Sequence, residues 1–218
     1  MKIFIDFDDV IFNTGKFKED FLNKVFIRNG ATKADFTKTY YHFFKKNGQV
    51  DRYYDPKKQL KALGKKDYIR GDKLEKDFHI FMKNLKKYVF GDVAYFLKKI
   101  SKRDLFLISY GDPLFQKMKI EGTHTSKLFG EVILGKFRKM DLISNVVEKH
   151  KLSQNDKIIV IDDLPKHLKK TKALKERLIT FHLRRSEGRY KNLTCKYADY
   201  EVKNLKEIIG IIKKEKIV

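Results

Sequence analysis

The sequence has one cysteine, no tryptophan and three prolines. Because Cys195 has no second cysteine to pair with, no intramolecular disulfide can form, and nothing in the composition indicates an oxidising compartment. No apolar run approaches the roughly 20 residues of a membrane-spanning helix. Asp6 interrupts the N-terminal apolar stretch too early for a signal peptide. We therefore expect a cytoplasmic protein with no membrane partner.

Acidic residues are scarce beside basic ones, which gives a formal net charge of +22. Such an excess is typical of proteins that bind nucleic acid. Only nine of the 50 basic residues are arginine, however, and the abundance of lysine also fits an AT-rich coding bias. The sequence shows no arginine cluster, RNA-binding aromatic motif or zinc-finger spacing. The net charge is therefore compatible with a nucleic-acid partner but does not favour one.

The apolar pattern divides the chain into two parts. Residues 14–100 have helical periodicity, whereas from Asp104 onward short apolar strands alternate with amphipathic helices. This alternation predicts an α/β fold with a Rossmann-like, mostly parallel sheet flanked by helices. The first strand, at residues 3–5, belongs with that sheet. We therefore expect a catalytic core formed by residues 1–14 and 98–218, with residues 15–97 inserted as an all-α cap domain.

Within the insertion, apolar stripes predict several helices. A first stripe covers residues 17–26 and stops at Asn29-Gly30, and Thr32 with Asp35 resembles a capping box that opens the next helix. The second stripe contains Phe36, Tyr40, Phe43 and Phe44, with Gly48 as its stop. Residues 52–56 have the composition of a loop. Further helices are predicted around residues 60–63 and over residues 74–85.

Polar residues follow three of the predicted strands at the point where each ends. Asp6 and Asp8 follow the first strand, Ser109 the second, and Asp162 with Asp163 a later one. Parallel strands bring their carboxyl ends to one edge of the sheet, where ligands bind. Clustered carboxylates at such an edge are costly unless a cation joins them. A solvated acidic turn or a helix cap is the simpler alternative for each group taken alone.

Two lysines, Lys136 and Lys139, precede the helix predicted over residues 140–150. The order of carboxylates, hydroxyl, lysine and paired carboxylates resembles the haloacid dehalogenase (HAD) superfamily of phosphatases and phosphotransferases. The matching segments are Asp6-Phe7-Asp8-Asp9-Val10, Leu105-Phe106-Leu107-Ile108-Ser109, a lysine at the start of a helix, and Val160-Ile161-Asp162-Asp163. The inserted region resembles the helical cap of one branch of the superfamily. Lys139 is the better match for the lysine, and Lys136 is the alternative.

The resemblance implies a Mg²⁺-dependent phosphatase that works through an aspartyl-phosphate. It makes Asp6 the nucleophile and Asp8 the acid and base, while Ser109 and Lys139 bind the phosphoryl group. The metal would be bound by Asp6, the main-chain carbonyl of Asp8, and Asp162, with Asp163 bound directly or through water. Because carboxylate neighbours favour a neutral acid, we expect Asp8 to be protonated in the empty site.

Asp8 also separates two chemistries within the superfamily. A departing halide needs no proton, and dehalogenases lack this second acid, so the sequence favours phosphoryl transfer. The expected substrate is a small phosphorylated metabolite, whose leaving group Arg52, Tyr53 and Tyr54 could contact. A nucleotide or nucleic-acid-end phosphatase and a basic nucleic-acid-binding protein on a HAD-like core are the alternatives. A phosphotransferase or mutase activity is less favoured.

Overall fold

The computed structural model describes residues 1–46, 49–136, 138–153, 155–172 and 178–217, and for residues 42–46, 49–53 and 172 it describes the backbone only. Eight strands lie in these ranges. In chain order they are β1 (Lys2–Asp6), β2 (His42–Lys46), β3 (Gln49–Tyr53), β4 (Leu105–Tyr110), β5 (Glu131–Gly135), β6 (Ile158–Asp162), β7 (Leu178–Leu183) and β8 (Tyr200–Val202).

The described ranges also contain nine α-helices. They are α1 (Thr14–Phe21), α2 (Lys33–Tyr40), α3 (Pro56–Leu63), α4 (Gly71–Met82), α5 (Val93–Lys99), α6 (Pro113–Gly122), α7 (Lys139–Lys149), α8 (Pro165–Lys172) and α9 (Leu205–Lys214). A π-helical segment, Leu22–Phe26, continues α1. Among the described residues, no helix has both the length and the apolar character needed to cross a membrane.

Six strands form one parallel sheet in the order β5-β4-β1-β6-β7-β8. The chain therefore starts in the middle of the sheet, adds strands on one side, and returns to add the rest on the other. A crevice forms at the carboxyl ends of the strands where the direction of winding reverses, which here is beside β1. The predicted α/β fold with a parallel sheet is confirmed.

Alternating side chains bury both faces of this sheet. Ile3 and Ile5 of β1 belong to the larger core on one face, whereas Phe4 points into a second core on the other face. Strands buried on both faces are apolar along their whole length, as in β1 and β6. Polar residues can therefore occur only at the end of each strand, where burial stops. The carboxylates of β1 and β6 lie at these ends.

The insertion between β1 and β4 is mainly helical, as predicted, and the capping box of Thr32 and Asp35 is present. The all-α expectation was wrong in one segment. Helix α2 ends at Tyr40, and residues 42–46 pair antiparallel with residues 49–53 instead of continuing the helix. Consecutive aromatic residues fit a strand as well as a helical stripe. Gly48, predicted as a helix stop, lies outside the described residues.

Candidate active site

A tight turn after β1 sets the position of the first two carboxylates. The amide of Ile11 donates to the carbonyl of Phe7 at 2.9 Å, and Asp9 has a left-handed backbone with φ of 57°. Asparagine and aspartate tolerate this conformation better than most residues. As a result, Asp6 and Asp8 both line one cavity of about 260 Å³ at the carboxyl edge of the sheet.

Three carboxylates meet beside β1. Strands β1 and β6 align Ile5 with Ile161, so Asp6 and Asp162 follow at the same level of the sheet. One carboxylate oxygen from each of Asp6, Asp162 and Asp163 lies within 4.8 Å of the others, and all three residues are buried. The sheet therefore brings together the acids that the sequence placed at two separate strand ends.

Lys139 is the cation that meets this cluster. It is the first residue of α7, and its Nζ lies 2.8 Å from Oδ1 of Asp6 and 2.5 Å from Oδ2 of Asp162. Only 4% of its side chain is exposed. Lys136, by contrast, lies exposed before the helix. Of the two lysines considered from the sequence, the structure places Lys139 inside the site and Lys136 outside it.

The carboxylates have opposite pKa shifts. Burial raises the pKa of Asp6 to about 7, against the attraction of Lys139. Burial and the charges of Asp162 and Asp6 raise the pKa of Asp163 well above its usual value. Burial would also raise the pKa of Asp162, but the charges of Lys139 and His167 lower it. Lys139 alone therefore does not neutralise the cluster.

The donor set fits a small divalent cation. Oδ2 of Asp163 is buried and has no hydrogen-bond partner among the described residues, which is costly for a carboxylate oxygen. The oxygens of Asp162, in contrast, accept from Lys139, the amide of Leu164 and His167. Mg²⁺ prefers carboxylate oxygens at about 2.0–2.1 Å, so two oxygens on opposite sides of the ion are about 4 Å apart. The three acids each place one oxygen within 4.8 Å of the others, so small adjustments of the side chains would let one ion contact them.

Ser109 lies at the end of β4 with its hydroxyl buried. Its Oγ has no hydrogen-bond partner in the part of the chain that the structure describes. A hydroxyl can donate one bond and accept two, so burial without a partner costs free energy. An unpaired hydroxyl next to the carboxylate edge is suited to bind an oxygen of a ligand.

Asp8 has neighbours that differ from those expected. Its carboxylate accepts from Nζ of Lys119 at 2.6 Å, from the Gln116 amide at 3.0 Å and from the Thr14 hydroxyl at 2.9 Å. Burial would raise the pKa of Asp8, but the charges of Lys119 and Arg189 hold it below its usual value. The carboxylate neighbours on which the expectation of a protonated Asp8 rested are not its hydrogen-bond partners, and in the metal-free protein cations favour its ionised form.

Sequence analysis missed four of the residues at the site: Gln116, Lys119, His167 and Arg189. Gln116 and Lys119 are three positions apart on α6, so they share a face, and this spacing was a usable signal. Arg189 donates from Nε to the buried carboxylate of Asp9, from a loop 180 residues further along the chain. No local sequence pattern predicts a contact between residues so far apart in the chain.

The outer wall of the cavity is aromatic and basic. The rings of Tyr40 and Tyr54 stack with their centroids 4.3 Å apart, and Phe115 meets Tyr54 edge-on. Nζ of Lys18 lies 4.3 Å from the centroid of Tyr40. Tyr54 was named from the sequence and lines the cavity. The side chains of residues 52 and 53, named with it, lie outside the described ones.

Solved structures provide the comparison that decides the fold. A haloacid dehalogenase-like hydrolase from Burkholderia xenovorans has a TM-score of 0.69 at 16% identity, with 97% of this chain and 96% of that chain covered. YfnB from Bacillus subtilis, a HAD hydrolase bound to magnesium, has a TM-score of 0.62 at 13% identity, with 97% of each chain covered. The chain has the HAD-like fold.

A third similar structure comes from Clostridium difficile and is described as a phosphatase. Its TM-score is 0.55 at 12% identity, with 96% of this chain and 97% of that chain covered. No family profile and no curated protein sequence matches the chain. The resemblance drawn from the sequence motifs is confirmed for the fold, including a helical insertion after β1.

Proposed function

We propose that the protein is a Mg²⁺-dependent phosphatase that hydrolyses a small phosphate monoester through a phosphorylated Asp6. The observation that carries this proposal is the convergence of Asp6, Asp162, Asp163 and Lys139 at the end of β1, next to the separate Asp8–Lys119 pair. The first group, the three acids and Lys139, is suited to bind a metal ion and a phosphoryl group. The Asp8–Lys119 pair is suited to transfer a proton to the leaving group.

In the first step, an oxygen of Asp6 attacks phosphorus, and the bond from phosphorus to the ester oxygen breaks. Lys139 and the Ser109 hydroxyl bind the other phosphoryl oxygens, where negative charge spreads in the transition state. In the second step, water attacks phosphorus, and the bond to Asp6 breaks to release inorganic phosphate. Asp8 accepts the proton of that water.

The metal ligands in this proposal are Asp6, Asp163 and the main-chain carbonyl of Asp8. Bound there, Mg²⁺ supplies positive charge that offsets the repulsion between a carboxylate nucleophile and a phosphate dianion. The unpartnered Oδ2 of Asp163 supports this residue as a direct ligand. Asp162 then acts mainly by orienting Lys139, which it contacts at 2.5 Å. The sequence had favoured Asp162 as the direct ligand.

The proton for the leaving group comes from the Asp8–Lys119 pair. Nζ of Lys119 donates to Oδ1 of Asp8 at 2.6 Å, so a proton can pass from the lysine to the carboxylate along this hydrogen bond. Burial lowers the pKa of Lys119, which eases movement of that proton toward Asp8. A phosphate dianion bound next to Asp8 raises the pKa of its carboxyl from the low value that Lys119 and Arg189 impose in the ligand-free protein, and so favours this proton transfer. The ester oxygen can then leave as an alcohol.

The test is hydrolysis of p-nitrophenyl phosphate and of a panel of phosphorylated metabolites, with Mg²⁺ and with a chelator. We expect Mg²⁺-dependent phosphate release that Asp6→Asn abolishes. Asp67→Asn is the matched control, since Asp67 lies exposed in the insertion and outside the cavity. Phosphate release that does not depend on Mg²⁺, or that survives in Asp6→Asn, would refute the proposal.

A further inference from the structure

Arg189 extends the cavity beyond the carboxylate cluster. It lies in the loop between β7 and β8 and lines the same cavity as Asp6 and Asp8. Its Nε donates to Asp9, the residue that follows Asp8 in the chain, so Arg189 lies on the Asp8 side of the cavity. Arg189 takes no part in the proposed catalytic steps.

The guanidinium of Arg189 has unused capacity to bind an anion. In the described part of the chain, its recorded hydrogen bond runs from Nε to Asp9, and 37% of its side chain is exposed. Asp9 itself is fully buried. The contact therefore fixes the inner edge of the guanidinium and leaves the terminal nitrogens free to form a two-point contact with a carboxylate or phosphate.

Lys18 is a second cation that lines this cavity. Nζ of Lys18 lies over the ring of Tyr40, and Lys18 forms no ion pair among the described residues. Lys18, Tyr40 and Arg189 line the same cavity. Lys119 and Lys139 are each paired with a carboxylate, whereas Lys18 and the outer edge of Arg189 face the cavity.

We propose that Arg189, assisted by Lys18, forms a subsite for a second anionic group on the substrate. The substrate is then a phosphate monoester whose alcohol carries a carboxylate or a second phosphoryl group. The inference rests on the proposed function, since it takes the reacting phosphoryl group to be at Asp6. It adds a class of leaving group that the catalytic residues alone do not specify.

The experiment compares matched esters that differ in one charge. One pair is 2-phosphoglycolate and its neutral amide, and the other is propane-1,3-diol bisphosphate and the monophosphate. We expect the wild type to favour the charged member of at least one pair in kcat/KM by about 10-fold or more, and Arg189→Gln to remove most of this preference. The pair that shows the preference identifies carboxylate or phosphoryl as the second group.

Three comparisons separate recognition from loss of structure. Arg189→Gln also deprives Asp9 of a partner, so a general loss of stability would lower kcat/KM for both members of a pair and leave their ratio unchanged. Arg189→Lys retains the charge and should keep part of the preference. Lys191→Gln removes an exposed charge of the same loop outside the cavity and should keep all of it.

An unchanged ratio in Arg189→Gln, or equal use of charged and neutral esters by the wild type, would overturn the subsite. If the wild type hydrolyses no ester, the proposed function fails, and the subsite is then judged by binding. In that case, thermal stabilisation by 2-phosphoglycolate but not by its amide, lost in Arg189→Gln, supports the subsite. Equal stabilisation by the two compounds, or none by either, overturns it.

Discussion

Lys119 places its Nζ 2.6 Å from Oδ1 of Asp8, in a contact where only 4% of the lysine side chain is exposed. The ammonium group lies 5.3–5.5 Å from the ring centroids of Phe7, Phe12 and Phe115. These rings shield the ammonium group of Lys119 from water, which strengthens its interaction with Asp8. This contact gives Asp8 an environment different from that of the other acids at the site.

The first prediction concerns this pair. Lys119→Met preserves the length of the side chain but removes its charge, so Asp8 loses the partner proposed to supply its proton. We expect phosphorylation of Asp6 by alkyl phosphates to slow by about 10²- to 10⁴-fold, with a much smaller loss for p-nitrophenyl phosphate. Single-turnover kinetics measure both rates.

A buried charge without its partner also destabilises the fold, so Lys119→Met should cost about 3–5 kcal/mol of unfolding free energy in denaturant titrations. Lys117→Met is the control, because Lys117 lies on the same helix with 63% of its side chain exposed. Equal slowing of alkyl and aryl esters by Lys119→Met would contradict the assigned proton role.

The second prediction compares the two lysines before and within α7. Lys139→Met removes the cation that contacts both Asp6 and Asp162, so activity should fall by about 10²-fold or more. Lys136→Met should stay within about twofold of the wild type, because surface changes away from the site have small effects. Steady-state assays under saturating Mg²⁺ provide the comparison. A larger loss in Lys136→Met would move the phosphate-binding role to that residue.

The third prediction distinguishes the neighbouring acids at the end of β6. If Asp163 contacts the metal and Asp162 orients Lys139, Asp163→Asn should weaken Mg²⁺ binding about 10-fold or more, and Asp162→Asn should weaken it less. Isothermal titration calorimetry measures the dissociation constants directly. The opposite ranking would restore Asp162 as the direct ligand.

The fourth prediction follows from the pKa of Asp6, which burial raises from 3.8 to about 7. A carboxyl with a higher pKa in the folded protein retains its proton there while the unfolded chain has lost it. The Asp6 contribution to stability therefore falls as pH rises through this window in the metal-free protein. Mg²⁺ binds the ionised carboxylate, so its stabilising effect should grow over the same range.

Thermal unfolding at about pH 5 and about pH 8, with and without Mg²⁺, tests this linkage. The increase in Tm on adding Mg²⁺ should be larger at the higher pH, and Asp6→Asn should reduce the difference between the two pH values. An increase that is independent of pH would show that Asp6 does not exchange its proton for the metal.

The parallel sheet and the carboxylate edge could be predicted from the sequence because both follow from local rules. Apolar runs such as Ile158–Ile161 must be buried on both faces, and Asp162 marks the point where burial ends. Parallel pairing then brings Asp162 beside Asp6, although 155 residues separate them in the sequence.

The cations of the site were harder to predict. The chain has 41 lysines, so the sequence alone does not single out Lys119. Its role becomes visible only when the structure shows that α6 packs next to Asp8. Arg189 depends on the path of a long loop, which no periodicity describes. The pairing of β2 with β3 was missed because the spacing of Phe43 and Phe44 fits a helical stripe and an aromatic strand equally well.

The central claim is that Asp6 carries the phosphoryl group. The most direct measurement is acid quenching of wild type and Asp6→Asn during Mg²⁺-dependent turnover of a labelled phosphate ester, followed by peptide mapping. We expect label on the peptide that contains Asp6 in the wild type, forming no slower than phosphate is released, and none in Asp6→Asn. Label on another residue, or phosphate release at an undiminished rate from Asp6→Asn, would contradict the account.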